Sequence, residues 1–212
     1  MSREQREIPE MARPKNEKTH LSHREKLLEA GERAFREASF SESGINEILA
    51  ESGVPKGSFY HHFPSKEAFG IAVADRYSET QIAAAKTCLQ DASLPPIDRL
   101  RAFFEGARTD MRSRKFQQGC LMCNFSTELA DEKPAFQTAL DAHWRALTAV
   151  LEDCLAKTDL SELGLHHLTP TQAADWLLNS WSGALTRMKV CGNDEPLALF
   201  MQTVFRPKDL KT

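Results

Sequence analysis

No run in these 212 residues is apolar over anything near membrane length, and no signal-peptide pattern opens the chain. A membrane partner is therefore not expected. Alternation of apolar and polar residues at a period of two is missing, as are internal repeats and low-complexity tracts, which leaves an all-α chain as the expectation. G-x-S-x-G, a glycine-rich phosphate loop and H-E-x-x-H do not occur, so neither an enzyme activity nor a cofactor is expected. Excess charge of one sign is lacking too: 27 Lys and Arg stand against 30 Asp and Glu, a formal net charge of −3. That balance argues against a general electrostatic coat for nucleic acid and for a reader with a local basic patch. Five cysteines, an odd number without a secretory context, point to the reducing cytoplasm and to no structural disulfide.

With 41% apolar residues the chain can bury a real core in one or two domains. Its most organised stretch is 43–66, SGINEILAESGVPKGSFYHHFPSK. Ile45, Ile48 and Leu49 recur at helical spacing behind Gly44, with Glu47 placed as in a capping box. Ser52 and Gly53 break that helix, Val54 supplies a buried hinge, and Pro55 suits the start of a second one. Phe63 before Pro64 closes it. Two short helices about a glycine turn make a helix-turn-helix, whose second helix enters the major groove of DNA. Between Glu51 and Glu67 there is no acidic residue, while Lys56, His61, His62 and Lys66 supply donors and Ser58 and Tyr60 hydroxyls. Gly57 lets backbone approach the duplex, Phe59 and Phe63 face inward, and Ser65 caps a further helix.

VPKGSFYHHFPSKEAF resembles the signature of TetR-family transcriptional regulators, and a helix over about 23–38 stands where that family has its first. The resemblance is specific over residues 24 to 75. It implies an N-terminal three-helix helix-turn-helix DNA-binding domain and a larger helical C-terminal domain for ligand binding and dimerisation. It also implies DNA contacts from Lys56, Gly57, Ser58, Tyr60, His61 and Lys66, with Tyr60 and Lys66 mainly at phosphates. Gly44 departs from the pattern, since many members carry a phosphate-touching Thr there. The expected partners are double-stranded palindromic operator DNA, a second copy of the chain through the last two helices, and a small-molecule effector.

In chain order, residues 1–21 mix charges and Pro without periodicity and read as a disordered arm. Ser22 is a plausible cap for the first helix, and 22–72 form the DNA-binding domain. A helix starting after Ser65 runs about six turns without Pro and carries the chain into the effector-binding and dimerisation domain, 73–212. There, helices are expected over about 97–114, from Cys120, over about 132–157, from Thr171 to Gly192 and over about 195–204. Ser180, Gly183 and Ala184 are small enough for another helix to approach.

Cys120 follows Gly119 at an expected helix start, where the helix dipole stabilises thiolate. GCLMCN resembles a segment of the TetR-type repressors that respond to electrophiles such as maleimides, and of acrylate-responsive ones. In the electrophile-responsive group a lysine lies near the cysteine, and Lys189 matches that position by resemblance. Cys120 and Cys123 form a lone C-x-x-C, without the second pair or the βαβ context that a metal or thioredoxin-like site needs, so no metal is assigned. Phe104, Trp144, Trp181 and Arg187 complete the candidate effector site, Arg187 as a bidentate carboxylate partner. The expectation is a repressor released from its operator by an electrophile or acrylate-like effector. Two other classes remain: a small thiol-dependent enzyme using Cys120 and Cys123, and a DNA-binding protein indifferent to sequence.

Overall fold

The computed structural model describes residues 17–206, with side chains from His23 onward. Among the described residues there are nine α-helices, one 3₁₀ turn and no strand. Helix α1 (Glu17–Glu37) begins ahead of Ser22, so Ser22 lies within it instead of capping it. The segment 17–22, EKTHLS, holds neither Pro nor Gly, and nothing in it stops the helix from extending toward the N-terminus. The expected disordered arm otherwise falls on residues 1–16, outside the described residues.

Helix α2 (Ile45–Ser52) is capped as its sequence suggests: the Glu47 carboxylate accepts from the Gly44 N–H at 3.2 Å. Gly53 ends it at φ 65°, a left-handed conformation in which a Cβ is costly. Helix α3 (Lys56–His62) starts one residue after Pro55, which takes the N-cap position. Helix α4 (Lys66–Leu89) is capped by the Ser65 hydroxyl, which accepts from the Ala68 N–H at 3.0 Å. The remaining helices are α5 (Pro96–Ser113), α6 (Leu121–Leu129), α7 (Pro134–Leu155), α8 (Pro170–Cys191) and α9 (Glu195–Val204).

Two apolar cores result, and they do not divide where the DNA-binding sequence ends. The first joins Leu27, Phe35, Phe40, Ile48, Phe59, Phe63 and Phe69 of the N-terminal unit to Leu121 and Phe125 of α6 and Phe136 of α7. Phe40 lies 5.1 Å from Phe136 and 6.2 Å from Phe125, centroid to centroid, and Phe35 lies 5.6 Å from Phe125. Edge-on and tilted aromatic contacts of this kind add about 0.5–1.5 kcal/mol per pair beyond area burial. The second core packs Phe104 of α5 between Trp181 of α8 and Phe200 of α9, with centroids 5.3 and 4.9 Å away.

Gly70 sits at the seam. A Cβ there would fall 2.5 Å from Phe40 and 2.7 Å from Phe136, rings from the two halves of the molecule. Gly70→Ala is expected to lower stability by about 1–3 kcal/mol through overpacking, read as a lower urea midpoint with an unchanged slope. A variant as stable as the parent would mean the two rings can part freely.

Candidate functional site

On α3, Lys56, Gly57, Tyr60 and His61 are exposed while Phe59 and Phe63 are buried, so the helix presents one face outward. Tyr60 is 50% exposed, unusual for a residue of its size. Ser58 is half-buried, and its hydroxyl meets His23 Nδ1 at 3.2 Å, tying α3 to α1. Nothing within the chain demands a glycine at 57: a Cβ there would meet no atom within 4 Å. Lys66 is the least available of the expected DNA contacts. Its Nζ bonds the Ser41 carbonyl at 3.3 Å and lies 4.7 Å from the Phe40 ring centroid, and burial lowers its pKa.

In the C-terminal half, α4, α5, α6, α7 and α8 enclose a cavity of about 370 Å³. Of the expected effector residues, Cys120, Trp144 and Trp181 line it. Phe104 and Arg187 do not. Phe104 points from α5 into the α8–α9 core, and Arg187 lies on the exposed side of α8, six residues after Trp181 and off its face. Lys189 is also outside the lining: it crosses over Gly119 and bonds Asn124 Oδ1 at 3.0 Å. The cavity contains thiols and thioethers from Cys88, Met111, Cys120, Met122 and Cys123, and its ionisable members besides the thiols are Asp110, His143 and Tyr77. Among the described residues, no Lys or Arg lines it. Burial raises the Asp110 pKa against the opposing pull of Arg36.

Cys120 is the N-cap of α6, with extended backbone angles, φ −88° and ψ 127°. From that position the Cys123 thiol favours a charged sulfur most, followed by the Cys123 backbone N–H, the Tyr77 hydroxyl and the Met122 N–H. Tyr77 Oη stands 3.6 Å from the sulfur. Together these donors outweigh burial and bring the Cys120 pKa down to about 6. The same pairing fixes the proton on Cys123, whose pKa is pushed far up, with burial and the Cys120 charge acting in the same direction. Lys189 acts electrostatically on Cys123, while the groups that favour charge on Cys120 are thiol, phenol and amide.

Two residues that sequence reasoning missed join this site to the DNA-binding unit. Arg36 of α1, only 7% exposed, donates from Nη2 to the Gly119 carbonyl at 2.8 Å and lies 5.6 Å from the Tyr77 ring centroid. At the other end of α6, Glu128 accepts the backbone N–H groups of Phe40 and Ser41 at 3.0 and 2.8 Å. Neither has a signature, because both contacts bridge more than 80 residues of sequence. Cys123 was visible as half of the C-x-x-C, though its role as proton donor required the fold.

A helix-turn-helix unit mounted on a helical domain with a thiol-bearing cavity defines a ligand-sensing DNA-binding regulator. Residues 27–73 match the tetR family of bacterial regulatory proteins, and 96–204 match the tetracyclin repressor-like C-terminal domain. The HTH-type transcriptional repressor DhaR of Mycobacterium sp. (strain GP1) is 36% identical over 86% of this chain and 90% of its own length. The repressor NemR of Escherichia coli K12 is 31% identical over 86% of this chain and 92% of its own. A crystal structure of regulatory protein TetR from Rhodobacter sphaeroides superposes with a TM-score of 0.80 at 30% identity, covering 88% of this chain and 98% of that one. The reduced form of E. coli NemR gives 0.74 at 31% identity, over 86% and 94%. The chain belongs to the TetR family of bacterial transcriptional regulators, and it is a DNA-binding protein, not an enzyme.

The thiol electrostatics carry a pH dependence. Because the reactive form is the thiolate, maleimide alkylation of Cys120 should be nearly flat above pH 7 and fall as pH drops through about 6. Cys123→Ala removes the leading donor, so the midpoint should move upward toward the ordinary thiol range. Stopped-flow alkylation read by peptide mass gives both profiles, and coincident midpoints would contradict the assignment.

Proposed function

We propose that this protein is a homodimeric repressor that reads a palindromic operator through α3 and releases it when a neutral, soft electrophile alkylates Cys120. The carrying observation is the low-pKa Cys120 sulfur inside an apolar cavity, one residue from the carbonyl that Arg36 holds. In the proposed reaction the thiolate adds to an electron-poor C=C bond, an S–C bond forms as the π bond breaks, and water protonates the resulting carbanion. Relatives that are named repressors support the negative sign of control.

The cavity's charge favours a neutral effector over acrylate. A carboxylate would face Asp110 without a lining Lys or Arg to receive it. Arg187, expected to fill that role, is on the wrong side of α8. For DNA, Lys56, Gly57, Ser58, Tyr60 and His61 form the reading surface, and Lys66 reaches phosphate only by leaving Ser41 and Phe40. For the dimer, Trp176 and Val190 of α8 and Leu199 of α9 are 40%, 81% and 64% exposed, an apolar face suited to a twin copy. Two-fold pairing would set two α3 helices against two half-sites. The site of action is the cytoplasm, where the DNA and the reducing conditions for a free thiol coincide.

The deciding experiment is fluorescence anisotropy on DNA from upstream of the protein's own gene, with unrelated DNA as competitor. N-ethylmaleimide should release the wild type and leave Cys120→Ser bound, and acrylate should release neither. Release of Cys120→Ser by maleimide would sink the thiol mechanism, and release of both by acrylate would establish a reversible carboxylate site instead. Gly57→Ala adds a methyl that the fold accommodates, so it should keep the melting temperature and weaken operator binding about tenfold or more, ~1.4 kcal/mol. Unchanged affinity would remove Gly57 from the interface.

A further inference from the structure

We infer that Cys120 and Cys123 are a reactive dithiol, a modification site at which hydroperoxides are reduced once per chain and a Cys120–Cys123 disulfide is left, with Cys123 as the resolving residue. The inference deepens the reading of this cavity as the sensing site and rests on it.

Position makes the pair. Cys120 is the N-cap of α6 and Cys123 the third residue inside the helix. Residues three apart are neighbours on one helix face, which sets the two side chains beside each other. Cα atoms three residues apart across one helical turn fall within the span of a disulfide. Both residues line one cavity, and the Cys123 thiol favours negative charge on the Cys120 sulfur. The other cysteines are not so placed. Cys88 lines the same cavity but its Sγ is engaged with the Arg99 carbonyl at 3.5 Å, Cys154 is buried against the Pro96 carbonyl, and Cys191 is exposed.

The chemistry balances in two steps. The Cys120 thiolate attacks the hydroperoxide, an S–O bond forms, the O–O bond breaks, and the leaving alkoxide takes a proton to become an alcohol. Cys120 is oxidised by two electrons to the sulfenic acid. The Cys123 sulfur then attacks Cys120, an S–S bond forms, the S–O bond breaks, and the departing hydroxide takes the Cys123 proton and leaves as water. Two thiols and one hydroperoxide give one disulfide, one alcohol and one water.

The dithiol also links three helices. Cys120 bonds Tyr77 of α4, and Cys123 bonds Ser182 of α8. A disulfide replaces those contacts by a bond internal to α6. In the preceding segment Lys115, Phe116 and Gln118 join Gly119 at positive φ, a backbone conformation that side-chain-bearing residues hold at a cost. Gly119 carries the carbonyl that Arg36 holds. Oxidation is therefore expected to weaken operator binding as alkylation does.

The test uses the full chain with Cys191→Ser to remove the exposed thiol. After equimolar hydrogen peroxide, the expected result is the loss of two hydrogens in the intact mass, a mapped 120–123 crosslink, and full reversal by dithiothreitol. Adding Cys123→Ser should instead leave one oxygen on Cys120, trapped by dimedone. Operator affinity of the oxidised protein should fall about tenfold or more. A stable sulfinate at Cys120 with Cys123 still a thiol, or a crosslink to Cys88, overturns the assignment of Cys123. A 120–123 crosslink with unchanged operator affinity overturns its regulatory use. Maleimide release measured on the same preparation separates these failures from failure of the cavity as a sensor.

Discussion

Between the Gly119 carbonyl and the Glu128 carboxylate, helix α6 is hydrogen-bonded at both ends to the DNA-binding unit, and Phe125 between them sits in that unit's aromatic core. The Arg36 bond is charge-assisted and buried, a type that contributes about 1.5–3 kcal/mol. The Glu128 bonds are also charge-assisted and hold the chain where it turns from α1 toward α2. A change at the start of α6 therefore reaches α1 and the α1–α2 connection without passing through a flexible linker. The cavity proposed for sensing lies against that same helix, so its contents and the DNA-binding unit bear on one shared element.

The cavity can hold a thiolate because its donors are fixed by packing and not by solvent. Tyr77 is 6% exposed, and its hydroxyl reaches the Cys120 sulfur from α4 while amides of the first turn of α6 approach from the other side. The Cys123 thiol lowers the Cys120 pKa, and its own is pushed up by the same neighbour and by burial. This asymmetry between neighbouring thiols makes one a nucleophile and the other a proton reservoir. The arrangement explains why a residue three positions away matters more to Cys120 than Lys189, whose ammonium is held by Asn124.

Local chemistry made the DNA-binding unit legible in the sequence. Gly53 at φ 65°, the Glu47 carboxylate on the Gly44 N–H and the Ser65 cap are short-range signals, and each acts in the fold as its residue type suggests. Leu100 and Phe104 of α5 and Leu177, Trp181 and Met188 of α8 recur at helical spacing and are buried. The effector site was only half legible. Helical spacing shows that Phe104 is apolar-facing but not which of two apolar spaces it faces, and it faces the α8–α9 core. Arg187 was chosen for its chemistry, and the phase of α8 turned it outward. Arg36 and Glu128 were out of reach, since an Arg and a Glu on helix surfaces look like ordinary solvated charges until distant segments are brought against them. Ser22 misled because a good cap residue need not start a helix when the residues before it also favour one.

The central claim is that the attachment of α6 to α1 carries the signal from Cys120 to DNA. The direct measurement is operator affinity before and after maleimide addition for the wild type, Arg36→Gln and Glu128→Ala, with thermal unfolding to confirm that each variant is folded. Both variants are expected to bind operator when unmodified and to lose about tenfold or more of the wild-type release on modification. Release equal to that of the wild type in both variants would contradict it and would place the coupling elsewhere in the fold.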